Sequence, residues 1–301
     1  MIFGVIVFVL PVISEIPLEK IISFVLVILF MASPINNLFA MQQIISKLVV
    51  GKNKIQKFLG TLDEIEVKPN NLINLYDHSF SKIQFNDVVY NQKDEEENIL
   101  FTLGPVNITF NKGEVIFIIG GNGSGKSTFI NLLTNMYEPH SGKILVDGKE
   151  IGTDDQSYRN LMASIYTDPY MFSRNYEDYE LEKNEKYSEL IKIMKMHEVI
   201  LDDKEESIQR KFSKGQTKRL AMILALLEER PVLILDEWAA DQDPEFREYF
   251  YEKFIPMLKE QGKTIIAVTH DDAYFRFADK IIKFEYGKIV ETTNVNNMIP
   301  A

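Results

Sequence analysis

Cysteine is missing from all 301 residues, which excludes disulfides and thiolate metal sites and leaves the redox compartment open. A basic surplus is missing as well. The formal net charge is -11, whereas a nucleic-acid partner calls for a positive surface to meet its phosphates, so nucleic acid is disfavoured as a ligand. There is no internal repeat. The one charge-biased tract, Asp94-Glu95-Glu96-Glu97, reads as a solvated hairpin tip. At the front of the chain charge is lacking altogether: residues 1–13 carry none, and after the short link 14–20 residues 21–46 carry none.

That front end reads as membrane segment. A spanning helix needs about 20 apolar residues, and the stretch from about 21 to 45 meets the length. Pro34 is expected to kink it, and Asn36 and Asn37 to face a partner helix or polar cavity rather than lipid. Residues 1–13, with Pro11 among them, fall short of a span and look like the back half of a helix. A secretory signal would carry a basic n-region, which is absent here, and a second apolar span follows at once. Lys47, Lys52, Lys54 and Lys57 follow that span and hold its end in the cytoplasm by the positive-inside rule. Residues 1–58 are thus expected to be the membrane segment with its cytoplasmic extension. Residues 59–81 are expected to be a linker broken at Pro69-Asn70-Asn71.

The apolar run Val115-Ile116-Phe117-Ile118-Ile119 reads as a buried parallel strand. It delivers the chain into Gly120-Gly121-Asn122-Gly123-Ser124-Gly125-Lys126-Ser127-Thr128, and a helical pattern follows. Glycines there let successive N–H groups point inward, while the helix start aims its positive dipole end at the same spot. The concavity suits a triphosphate. Lys126 would neutralise β- and γ-phosphates, Ser127 would ligate Mg²⁺ and Thr128 could bond the α-phosphate.

Other elements follow from spacing. Residues 82–90 and 100–110 alternate as strands about the acidic tip, an antiparallel element beside the nucleotide core. Residues 143–146 form a short strand closed by Asp147-Gly148, and 164–172 form a strand running into an aromatic loop. Residues 174–228 suit an inserted helical subdomain, with Tyr187, Leu190, Ile191 and Met194 at helical spacing. Val232 to Leu235 is a second buried strand ending in Asp236-Glu237. A carboxylate there can hold Mg²⁺, and Glu237 is placed to orient or deprotonate the attacking water. A strand over 264–268 ends in Thr269-His270, bringing an imidazole to the same sheet edge.

In this order the pieces resemble the nucleotide-binding domain of the ATP-binding cassette superfamily, over residues 82–301. The resemblance implies an α/β P-loop NTPase with a parallel-sheet core, an antiparallel β subdomain and a helical subdomain, here preceded by one to two transmembrane helices. It makes Gly120 to Thr128 the Walker A loop and Ser213, Gly215 and Gln216 the signature. Asp236 becomes the Walker B aspartate, Glu237 the catalytic glutamate, Asp243 the D-loop aspartate and His270 the switch histidine. In that family an aromatic residue of the first strand stacks on adenine; Tyr90 is the candidate, although strict alignment puts Gln92 there. The signature of one subunit caps ATP held by the other, so a homodimer or a dimer with a related half-transporter is implied. The string from Asp236 to Pro244, together with Gly120 to Gly123, looks like exporters of cyclic and modified peptides and siderophore precursors. Such proteins sit in the inner membrane with the nucleotide domain in the cytoplasm.

Two residues depart from the pattern. Lys214 replaces the first glycine of the signature and adds a cation near the γ-phosphate. Thr167 stands where the family has the Q-loop glutamine, as the candidate for the metal contact there. Half-transporters of this type also carry six membrane helices. Two functions therefore stand at the sequence level: an ATP-hydrolysing exporter subunit for a peptide-like substrate, with further helices supplied by a separate polypeptide, or a non-transporting remnant that binds ATP and regulates an intact transporter. A DNA-repair or chromosome ATPase is disfavoured by the membrane segment and the acidic charge.

Overall fold

The computed structural model describes residues 17–64, 80–94, 96–152, 155–169, 184–197 and 212–295. The apolar segment 1–13, the breaker at 69–71, the aromatic positions 170–172 and residues 174–183 of the helical subdomain lie outside the described residues. The chain divides into two compact units, residues 1–72 and 73–301.

The first unit is built on one helix, α1 (Leu18–Glu64), of 47 residues with Pro34 inside it. At about 1.5 Å per residue it is roughly 70 Å long, more than twice the ~30 Å of a bilayer's hydrocarbon core. Over Ile22–Gly60 it is long and apolar enough to cross a membrane, with a hydropathy of 2.0. Its large side chains, Phe24, Leu26, Phe30, Leu38 and Phe39 among them, are exposed. The helix runs through Pro34 without a break.

The second unit has two sheets. Strands β1 (Lys82–Lys93), β2 (Ile99–Asn111), β4 (Ser141–Val146) and β5 (Lys149–Glu150) form an antiparallel sheet in the order β2-β1-β4-β5. The other sheet runs β10-β9-β3-β8-β7-β6, built from β3 (Val115–Ile119), β6 (Met162–Ile165), β7 (Val232–Asp236), β8 (Thr264–Val268), β9 (Lys280–Glu285) and β10 (Lys288–Asn294). All its pairings are parallel except the β9–β10 hairpin. Strand β6 begins two residues before the sequence expectation of 164. Met162 and Ala163 pair with Val232 and Leu233, so the parallel register with β7, not the aromatic tail, sets its bounds.

Alternation along the central strands sorts two cores. Ile116 and Ile118 of β3 face one core, which holds the antiparallel sheet and helix α2 (Lys126–Leu133). Within it the buried Phe129 ring lies 5.4 Å from Phe85, 6.1 Å from Phe110 and 5.1 Å from Phe284. Val115 and Phe117 face the other core, which holds four further helices. After the short α3 (Gln156–Arg159), these are α4 (Glu185–Ile193), α5 (Lys214–Leu227), α6 (Pro244–Tyr249) and α7 (Ile255–Glu260). A π-helical turn, Phe250–Phe254, joins α6 to α7. The carboxyl ends of β3, β7 and β8 therefore open on one edge of a sheet packed on both faces, the edge where parallel α/β sheets bind ligands.

Candidate nucleotide site

The turn from β3 into α2 forms the loop. Gly120 sits at φ 148°, and a Cβ there would stand 2.3 Å from the Phe284 carbonyl oxygen, so no other residue fits. Gly125 is the N-cap of α2 and supplies no side-chain cap. The first-turn N–H groups of the helix are thus left for another acceptor. Lys126 is buried and folds back on the loop, its Nζ donating to the carbonyls of Gly120 at 2.9 Å and Gly121 at 3.1 Å. Ser124 Oγ is buried without a hydrogen-bond partner. Asn122 and Ser127 are exposed and Thr128 is half-buried. From outside, the β9–β10 turn braces the loop: Gly287 N–H donates to Ser124 O at 2.9 Å. An orphaned hydroxyl, an uncapped helix start and a lysine held only by carbonyls fit an oxyanion such as a phosphate.

Asp236 ends β7 almost wholly buried. Burial pushes its carboxyl above the ordinary range, against the hydrogen bond that Thr167 Oγ1 donates to Asp236 Oδ2 at 3.2 Å. The charge of the neighbouring Glu237 raises it further. Such a buried carboxylate gains from a cation. Mg²⁺ is such a cation, since it binds through one or two carboxylates plus substrate phosphates. Glu237 lies just past the strand in the left-handed region, φ 51° and ψ 36°. Its N–H donates to Val268 O at 3.1 Å, which ties it to the end of β8. Its Oε1 faces His270 Nε2 at 3.3 Å. The Asp236, Glu237 and His270 side chains named from the sequence are thus brought together, with Thr167 on Asp236.

Ser213 caps α5 in a reciprocal box: Gln216 N–H donates to Ser213 Oγ, and Ser213 N–H donates to Gln216 Oε1. Gly215 is needed because a Cβ would stand 2.6 Å from the Asp241 carbonyl oxygen. The start of α5 thereby packs against 241–243. Gln242 Nε2 donates to Gly215 O at 3.3 Å, while Arg219 reaches Gln242 Oε1 and the Asp243 carboxylate with its guanidinium 3.7 Å over the Phe246 ring. Asp243 in turn caps α6, and the Phe246 N–H with Arg219 holds its carboxyl below the usual range. Lys214 lies 3.7 Å from Asp168, both largely exposed.

Tyr90 is placed differently from an open platform. Its ring stacks on Tyr137 at 4.8 Å and 11° and packs on the core, and its phenol is pushed up by burial. Phe101, passed over by the sequence reading, lies against the loop instead, 3.0 Å from where a Cβ on Gly125 would stand, and it pairs across the sheet with Gln92.

Also unread from the sequence were two hubs behind the site, one buried and one partly exposed. Lys218 is 1% exposed, bonded to Glu237 O at 2.8 Å and paired with Asp241 at 2.6 Å. Its signal was present: 218, 222 and 226 repeat at helical spacing, and Met222 and Leu226 are buried. Arg247 donates to the carbonyls of Ala239, Ala240 and Gln242 and pairs with Asp271, which also accepts from the buried Tyr251 hydroxyl.

A glycine-rich loop and an Asp-Glu strand end on the same edge of a parallel sheet define a P-loop nucleotide-binding protein. The family described as "ABC transporter" matches residues 103–240. The ATP-binding protein SyrD of Pseudomonas syringae pv. syringae is 34% identical over 297 residues, 95% of this chain and 52% of that protein. The energy-coupling factor transporter ATP-binding protein EcfA1 of Oenococcus oeni is 32% identical over 207 residues, 64% of this chain and 73% of that protein. Among solved structures, a dimeric post-hydrolysis state of the ATP-binding cassette MJ0796 bound to ADP and Pi superposes with a TM-score of 0.59 at 24% identity, over 71% of this chain and 98% of that one. The chain belongs to the ABC transporter family and carries its ATP-binding domain. It spans about half the length of SyrD and of other curated relatives it matches.

Proposed function

We propose that this chain is the ATP-hydrolysing subunit of an exporter, working as a head-to-tail dimer in which the loop of one copy and the signature of the other enclose ATP. The observation that carries the reading is the facing of Glu237 and His270 at 3.3 Å beside the buried Asp236. Lys126 leaves the Gly120 and Gly121 carbonyls to take the β- and γ-phosphates, Ser124 gains the acceptor it lacks, and Thr128 bonds the α-phosphate. Ser127 and Asp236 hold Mg²⁺, and Thr167 fixes the Asp236 carboxylate by donating to Oδ2. The ion held there would supply positive charge against the negative charge developing on the phosphates. Glu237 orients the attacking water and takes its proton, and His270 positions Glu237 and senses the γ-phosphate. From the partner's side Ser213, Gly215 and Gln216 close over the nucleotide, with Asp243 bracing the signature helix through Arg219.

The length and hydropathy of α1 support a membrane location, with the nucleotide unit on the cytoplasmic face, where Lys47 to Lys57 hold the helix end. The resemblance of 236–244 to peptide and siderophore exporters supports a peptide-like cargo. The test is Glu237→Gln in the full chain. Nucleotide binding should persist while phosphate release slows by about 10²–10⁴-fold, the usual worth of a positioned base. Hydrolysis at the wild-type rate would remove Glu237 from the chemistry.

A further inference from the structure

We propose that Lys218 is a positioning residue that holds the backbone of Glu237 in its left-handed conformation and ties it to the signature helix. The inference rests on the reading of Glu237 as the base. A non-glycine residue at φ 51° persists only where its surroundings over-determine it. Here they do so from both sides. The Glu237 N–H is held by Val268 O at the end of β8, and its carbonyl accepts from Lys218 Nζ at 2.8 Å as well as from Ala240 N–H at 3.3 Å. The lysine is itself fixed. It is 1% exposed, its charge is met by Asp241 at 2.6 Å, and its own carbonyl accepts from Trp238 Nε1 at 2.9 Å.

A buried, paired ammonium is costly unless its geometry is satisfied, and this one is spent on the residue pair flanking the Trp238 turn. Lys218 lies five residues from Ser213 on the same helix, about 7.5 Å along its axis. The first turn of α5 is the part that would meet the partner's nucleotide. Movement imposed there reaches the Glu237 carbonyl directly through the Lys218 side chain. Lys218 thus connects the end of one composite site to the base of the other, and it does so without touching nucleotide.

The experiment measures phosphate release against Mg-ATP concentration for the full chain in liposomes, with single-turnover assays of radiolabelled ATP for the slow variants. Lys218→Met keeps the apolar stem and removes the donor. It should lower kcat by about 10- to 100-fold, the worth of a small misplacement of a catalytic group, and leave KM within about threefold. Lys218→Arg should recover a large part of the loss. Added to Glu237→Gln, Lys218→Met should cost nothing further, because both act through one group. A wild-type kcat in Lys218→Met, or losses that multiply in the double variant, would overturn the proposal. If Lys218→Met does not fold, Asp241→Asn carries the test: the lysine stays but loses its anchor, and kcat should fall at unchanged KM; an unchanged kcat refutes the role. Full hydrolysis by Glu237→Gln would instead refute the base itself, and this inference with it. Wild-type Lys218→Met beside an inactive Glu237→Gln refutes the inference alone.

Discussion

Lys126 is the only cation in the loop from Gly120 to Thr128, and its ammonium is held by two carbonyls rather than a carboxylate. It can therefore leave for phosphate without breaking an ion pair. Lys126→Ala should abolish binding of a fluorescent ATP analogue, and unchanged affinity would remove the loop from the site. Thr167 works at one remove, through the Asp236 carboxylate. Thr167→Val should raise the Mg²⁺ concentration needed for half-maximal hydrolysis, whereas Thr167→Gln should retain activity. A Val variant that behaves like wild type would make Thr167 a spacer. At this scale the sequence was most informative where chemistry demands one residue type at one spacing, as in the loop, in Asp236-Glu237 and at His270. It carried the helical spacing of Lys218 but neither its partners nor those of Arg247, because a charged residue on a helix reads as solvated until tertiary packing supplies them.

Elements were legible wherever a run is apolar throughout and bounded by its own chemistry. Strand β3 begins and ends with its apolar run and β8 ends with its own at Val268, and α2 starts at the residue after its last loop glycine. Strand β6 was not, since its start is fixed by pairing with β7, a partner some seventy residues away. Helix α2 is clasped between two sheets through Phe129, and that contact carries a measurable share of stability. Phe129→Ala should cost about 3–5 kcal/mol, read as a lowered urea midpoint from the fluorescence of Trp238, the single and buried tryptophan. A smaller element, the turn 111–114, should give a pH signature. Partial burial pushes the Glu114 carboxyl up, but hydrogen bonds from Asn111 and the Lys280 ammonium at 3.0 Å outweigh it and hold the group below the usual range. A depressed folded-state pKa contributes stability above the unfolded value, and this is lost as pH falls through the folded one. The stability gap between wild type and Glu114→Gln should accordingly be constant near neutrality and close below about pH 4.3, the ordinary glutamate value. A gap that widens in acid would reverse the assigned sign.

At the scale of the whole molecule, the proposed head-to-tail dimer sets the loop of one copy against the signature of a second copy or a related chain. The signature is held within its own chain, Ser213 by the reciprocal cap and Gly215 by the approach of the Asp241 backbone. Lys214 pairs with Asp168 at 3.7 Å in the open, both side chains largely exposed, and such pairs are worth little. In the proposed dimer it would turn toward the partner's γ-phosphate. Slowing hydrolysis should trap the closed assembly. The full-length Glu237→Gln variant in detergent should gain mass on size-exclusion chromatography with light scattering when Mg-ATP is added, and lose it when ATP is withdrawn. Adding Ser213→Arg should abolish the shift. The lost helix cap costs only about 1 kcal/mol, too little to unfold the unit, so loss of association would report the contact itself. Restoring glycine with Lys214→Gly should leave the assembly ATP-dependent but weaken it, by removing one cation from the enclosed phosphates. An ATP-independent mass in Glu237→Gln would sink the head-to-tail arrangement, and a tighter assembly in Lys214→Gly would show that this lysine opposes closure.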